Sequence, residues 1–244
     1  MQVFRLTNAQ EGLDKIRKVR MKSFATIFFA IFLLFVFFVL YVTIRGMAWI
    51  IAGLGNPGNE YDNTRHNTGR MAVEHFVKLV DFSDWKEEKK ARSHVARGLF
   101  GKNIGVALLP NTFMNKSGTA VATFVKSAKA AERLIVVYDD MDLPLGKIKL
   151  SFDRGSGGHK GIESIARAVK TKNFTRIRVG VSPESASGEV KKPHGEKEVL
   201  KFILGTFKPA EMKELDVVFD RVAEAIEAIV IRGPLVAMNE FNRN

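Results

Sequence analysis

The chain has 244 residues, 46% hydrophobic and 26% charged, enough for one sizeable core beneath an ordinary charged surface. It contains no cysteine, which excludes disulfides, thiolate metal centres, iron–sulfur clusters and a cysteine nucleophile, and which suits a cytoplasmic protein. A formal charge of +12 points to a polyanionic partner, either nucleic acid or an anionic membrane surface.

From Phe24 to Ile44 the chain runs 21 residues without a charge. As a helix this stretch would reach about 31 Å, enough to cross a bilayer. Lys15, Arg17, Lys18, Arg20 and Lys22 precede it, and only Arg45 follows closely. That asymmetry would hold the first residues in the cytoplasm and send the rest outside. No small-residue cleavage site follows, so a signal anchor fits better than a removed signal peptide. Without residues 1–46 the remainder is still basic, so nucleic acid stays a candidate partner.

After Met47 strands and helices alternate. "AWIIAGL" reads as a buried first strand, and "GRMAVEHFVKLV" as a helix with Ala72, Phe76, Leu79 and Val80 on one face. "HVARGLF" and "NIGVALL" form a hairpin pair about the turn Gly101 to Asn103. Ser117 is placed to cap a helix on which Val121, Phe124, Val125 and Ala128 align. "RLIVVYDD" is a continuous apolar strand ending in acids, as buried strands of a wound sheet do. "GKIKLSF" is a further strand, "HKGIESIARAV" a helix and "TRIRVGVS" the last strand. Residues 183–198 are polar and rich in Pro, Gly and Ser, and read as a mobile loop or lid. A long amphipathic helix from Pro209 closes at Gly233 and Pro234. No internal repeat is present. The expected fold is α/β: a single three-layer domain with a mixed twisted sheet flanked by helices, preceded by a hydrophobic N-terminal helix.

"GLGNPG", Gly53 to Gly58, matches the spacing of a dinucleotide-binding turn. In that device the third glycine opens a helix directly, so that the pyrophosphate rests on its N-terminus. Here the polar "NEYDNTRHN" follows, and the acid expected about 20 residues on, at the end of a second strand, is absent. A dinucleotide cofactor is therefore rejected. The glycines are read instead as a sharp turn at a strand's C-terminal edge that presents Asn56 to a cleft. A purely structural turn is the alternative.

Four polar segments follow strands or open helices: "GNPGNEYDNTRHN", "PNTFMNKSG", "YDDMDLP" and "GSGGHKG". In a wound sheet such places gather at one end of the domain. They supply His66, His159, Asp139, Asp140 and Asp142 together with Asn56, Asn67, Asn115 and Tyr61. Histidine, carboxylate and amides together suggest general-base hydrolysis: an imidazole takes a proton from water, a carboxylate fixes its tautomer, and amides steady an oxyanion. Each residue taken alone would more often be an ordinary hydrogen-bonded surface group. A divalent metal is the rival use, but no His-x-x-x-His or tight carboxylate spacing supports it.

These segments, with "RIRVGV" and the terminal "AMNEFN", resemble bacterial-type peptidyl-tRNA hydrolases in the same order over about residues 48–242. The resemblance implies an esterase that cuts the bond between a peptide and the 3′ ribose of tRNA, with neither metal nor cofactor. It places His66 on the general base, Asp139 on its supporting carboxylate, and Asn56 on a residue separating peptidyl from aminoacyl esters. Tyr61, Phe113 and Asn115 fall on substrate contacts, with Met114 beside them, and His159 and Lys160 lie in the family's "GGHNG" segment. Two departures stand out. Lys160 replaces the family's asparagine, losing an acceptor and adding a charge. Ser151 stands where a basic residue often follows Lys149, so Arg154 or Arg178 is expected to join Lys149 on tRNA phosphates. A non-catalytic RNA-binding relative, a splicing or chaperone module, is the rival reading; intact His66, Asp139, Asn56 and Asn115 favour the enzyme. The expected domain is 47–244, acting as a monomer. Residues 1–46 are expected to lie outside it, with an upstream start codon preferred to an anchor of either orientation or a fused tail.

Overall fold

In the computed structural model, residues 48–80 and 82–243 are described; the hydrophobic stretch 24–44 and the rest of the first 46 residues lie outside them. A compact unit spans Ala48–Asn244. No helix among the described residues is long and apolar enough to cross a membrane.

The apolar run after Ala48 forms β1 (Trp49–Gly53), which sits in the middle of a seven-stranded sheet. The other strands are β2 (Lys86–Glu88), β3 (Ser93–Phe100), β4 (Asn103–Pro110), β5 (Leu134–Pro144), β6 (Ile148–Phe152) and β7 (Thr175–Ser182). Their order is β2-β3-β4-β1-β5-β7-β6. β4, β1, β5 and β7 run parallel, whereas β2, β3 and β6 pair antiparallel at the edges, so the sheet is mixed as the sequence implied. Strand side chains alternate between its faces. Ile51, Ile135 and Val137 enter one core, and Ile50, Ala52, Leu134 and Val136 enter the other. The first core is closed by α1 (Thr68–Leu79), and by the long α6 (Pro209–Arg232) and α7 (Pro234–Phe241) behind it. The second is closed by the short α2 (Ser117–Val121) and α3 (Ala128–Ala131) and by α4 (Lys160–Val169). α5 (Glu196–Ile203) buries no residue fully.

Several local expectations need correction. The buried face of α1 is Ala72, Val73, Phe76 and Val77, with Val80 packed against the same core as expected, while Leu79 lies at the margin of that face and is 57% exposed. Ser117 caps no amide; its hydroxyl donates back to the Met114 carbonyl at 2.9 Å, as a hydroxyl within a first turn can. The helix after it stops at Val121, and Ala128 opens a separate helix with its side chain exposed. The hairpin turn is Gly101–Lys102, with Asn103 already paired to Phe100. Residues 183–195 contain only an isolated Glu184–Val190 bridge, and the helix α5 begins within the expected loop. The terminal "FN" covers an open sheet edge: Asn242 accepts from the Leu150 amide at 2.8 Å and donates to its carbonyl at 3.0 Å. That fills backbone positions an edge strand would leave unpaired.

Candidate active site

The chain returns past β1 to place β4 on one side of it and β5 on the other, so a crevice opens beyond the C-terminal ends of these strands. The glycines of "GLGNPG" make the crevice tight. A Cβ on Gly53 would meet the Gly69 carbonyl at 2.6 Å, and one on Gly69 would meet the Val137 carbonyl at 2.1 Å. The start of α1 therefore rests directly on β1 and β5. Leu54 N–H donates to Val137 O at 3.0 Å, and Arg70 N–H to Leu54 O at 2.9 Å. Only Gly58, at φ 111°, needs the left-handed region. These glycines serve helix–strand approach, and a 3-10 turn (Asn59–Tyr61) follows them rather than a phosphate-binding helix.

His66 lies in a second 3-10 turn, Arg65–Asn67, just before α1. Its neighbour Arg65 anchors that turn by donating to the Gly205 and Thr206 carbonyls and to Glu211, with Phe202 and Phe207 flanking the guanidinium. Asn67 supports Asn56: its Oδ1 accepts from the Asn56 amide at 2.8 Å and its Nδ2 donates to the Asn56 carbonyl at 3.0 Å. The Asn56 side chain in turn accepts from the Met114 amide at 2.9 Å, tying the loop after β1 to the loop after β4.

Asp139, on the last buried turn of β5, is held between two imidazoles. His66 Nδ1 lies 3.0 Å from both carboxylate oxygens, and His159 Nε2 lies 3.1 Å from Oδ1. His159 is also the N-cap of α4, its Nδ1 accepting from the Ile162 amide. Accepting at Nδ1 requires the proton on Nε2, so His159 donates to Asp139. The carboxylate likewise draws the proton of His66 to Nδ1 and leaves its Nε2 with a lone pair. Burial pushes the His66 pKa down, but the charge and hydrogen bond of Asp139 outweigh it and the net shift is upward; Lys160 works against them. Burial would raise Asp139, but the two histidines hold it below the usual carboxylate range. Tyr138, its ring 4.8 Å from His159, is pushed by burial up to about 12. The donor atoms of His66, Asp139 and His159 lie within 4.8 Å of one another, near enough to share a metal ion. Hydrogen bonds within the trio already use the same atoms.

The cleft above this trio has a volume of about 980 Å³. Of the sequence-predicted residues, Asn56, Tyr61, His66, Phe113, Met114 and Asn115 line it. So do Asp139, His159, Lys160, Arg154 and Arg178. Phe113 is 57% exposed and edge-on to Tyr61, at 6.5 Å between ring centroids. Lys149 does not line the cleft; it is exposed on β6 as the cross-strand partner of Arg178. Arg178 is not a free cation: its Nε donates to Asp140. The bond from His159 to Asp139 was not legible in the sequence, where His159 stood only as one polar residue of a segment that opens a helix. The wall formed by Lys192, His194, Val199 and Leu200 was also missed, since half of it lies in the segment read as a loop.

Comparisons with known proteins place the chain among one group of relatives. A family model described as peptidyl-tRNA hydrolase matches residues 50–244. The chain is 37% identical over 195 residues to the peptidyl-tRNA hydrolase of Aquifex aeolicus, covering 80% of this chain and 96% of that protein. Against that of Carboxydothermus hydrogenoformans it is 41% identical over 197 residues, covering 80% and 98%. The crystal structure of peptidyl-tRNA hydrolase from Acinetobacter baumannii superposes with a TM-score of 0.70 at 30% identity, covering 82% of this chain and 96% of that one.

Proposed function

Because the chain belongs to the peptidyl-tRNA hydrolase family, it hydrolyses the ester of peptidyl-tRNA, and we propose that His66 is the general base of that reaction. The observation that carries this reading is the His66–Asp139 pair on the wall of the cleft, with the imidazole proton drawn to Nδ1. His66 Nε2 takes a proton from water as the water attacks the ester carbonyl, and the ribose oxygen departs with a proton. Asp139 supports the imidazolium so formed, and His159, donating to the same carboxylate, keeps Asp139 oriented as a positioning residue. Asn56 and Asn115 supply polar contacts to the substrate near the scissile bond, while Tyr61, Phe113 and Met114 form the adjoining wall. Lys160, an exposed cation in the cleft, offers donors to the substrate where an amide would offer both donor and acceptor. Arg154 and Arg178 hold tRNA phosphates, with Lys149 beside them outside the cleft.

The activity is assigned to residues 47–244, acting as a monomer in the cytoplasm, where tRNA is found. No metal is needed, because an ester is activated enough for water, a base and polar donors.

His66→Ala tests the base directly. Hydrolysis should fall by about 10²–10⁴-fold while tRNA affinity holds. Unaltered turnover would refute the assignment. A non-catalytic RNA-binding module predicts no turnover in either protein.

A further inference from the structure

Behind the loop that carries Arg154, a second cavity of about 380 Å³ lies against α4. The two cavities share Arg154, Gly155 and Ser156, so this one opens beside the active cleft rather than across the molecule from it. Ile162 and Ala166 of α4 give it an apolar side, and Arg154, Arg167, Lys172 and Arg176 line the rest. Its single acid, Glu163, accepts from the Ser156 hydroxyl at 3.0 Å. None of the four cations makes an ion pair among the described residues.

Arg176 is the unusual member. It is fully buried at the start of β7, stacked at 4.7 Å over the Phe174 ring, with Nη1 donating to the Gly155 carbonyl at 2.7 Å. Its Nε and Nη2 have no hydrogen-bond partner. Those two nitrogens form one edge of the guanidinium fork, the edge that meets two oxygens of an oxyanion side by side. Burying a guanidinium is costly, and burial lowers the Arg176 pKa even though the Tyr138 hydroxyl, by charge and hydrogen bonding, and the Asp153 carboxylate oppose it. The covering loop is loosely packed: a Cβ at Gly155, Gly157 or Gly158 would meet nothing within 4 Å.

We propose that this cavity is a phosphate-binding site, in which the Nε–Nη2 edge of Arg176 takes two oxygens of one phosphate group and Arg154, Arg167 and Lys172 form a cationic collar. Four cations against one engaged carboxylate suit a phosphate better than a lone carboxylate. The phosphate reaches Arg176 as the Gly155 peptide lifts. The function proposed above bears only on the source: a tRNA running out of the active cleft brings phosphodiesters past this opening, whereas free inorganic phosphate needs no such substrate.

The test titrates the full chain with inorganic phosphate and, separately, with a tRNA acceptor-stem duplex, following the Arg176 Nε–H resonance. A saturable shift is expected in the wild type. It should be lost or at least tenfold weaker in affinity in the Arg167→Ala/Lys172→Ala double variant, whose two positions are exposed and should not disturb folding. A shift with the duplex identifies tRNA phosphodiester as a ligand; a shift with phosphate alone assigns the site to the free ion. No Arg176 response to either probe overturns the site, even if the double variant lowers the salt dependence of tRNA binding, since surface charge alone would do that. If the wild type fails to hydrolyse peptidyl-tRNA, the functional reading falls while the resonance still decides this one.

Discussion

At one end of the cleft His66, Asp139 and His159 share a continuous chain of hydrogen bonds, and Asn67 and Asn56 tie the loops around them together through buried bonds. Elsewhere around the cleft the charged groups meet across solvent: Lys192 pairs with Asp142 on the surface, and Arg154 is exposed. The difference follows from what each region handles. Moving a proton at an ester carbonyl requires atoms placed to a few tenths of an ångström, which only packed and fully bonded side chains provide. Holding a flexible polyanion requires charge more than position, and exposed charges supply it at little cost in order. Perturbing the first region should therefore change rate, and perturbing the second should change affinity and its response to salt.

The largest break in that comparison is Asp139→Asn. The amide cannot support an imidazolium, so kcat should fall by about a hundredfold or more. Burial then acts on His66 without its main opposition, so the acid limb of kcat/KM should move to lower pH. A pH–rate profile of the variant checks both, and an unmoved limb would separate Asp139 from the titrating group. Next in size, Arg154→Ala or Arg178→Ala should weaken tRNA binding and reduce the slope of log affinity against log salt by about one, with kcat preserved at saturation. Removing Arg178 also frees Asp140, so its effect should exceed that of Arg154. Affinity measured at several ionic strengths reads this, and an unchanged slope removes the residue from the interface. The smallest effect is expected from Lys160→Asn. The ammonium lowers the His66 pKa, so its loss should shift the acid limb slightly upward. A downward shift would mean that Lys160 acts by another route.

The same contrast governs how much could be read from the chain. β1 and β5 were legible because strands buried on both faces are apolar over their buried length. Segments that follow strands supplied the candidate histidines and carboxylates, since sheet topology brings such places together, and the family resemblance picked His66 and Asp139 from among them. The second imidazole on Asp139 could not be read this way. His159 reaches it from the N-cap of α4, a matter of packing rather than spacing. α5 was missed because its apolar residues face the cleft and leave no fully buried stripe. Leu79 was misassigned because the buried stripe is centred toward Val73 and Val77, which leaves position 79 at its margin. Gly53, Gly55 and Gly58 mimicked a cofactor fingerprint because both devices need a helix pressed closely on a strand, although only one of them binds phosphate.

Whether the ionisation of this one imidazole controls the reaction can be measured by following the His66 ring nitrogens by NMR across pH, alongside kcat/KM for a peptidyl-tRNA substrate. The neutral ring should carry its proton on Nδ1, with a pKa above the ordinary 6.5, and the rate should rise along the same curve. A neutral ring protonated on Nε2, or a rate that climbs while His66 is still fully charged, would contradict the mechanism.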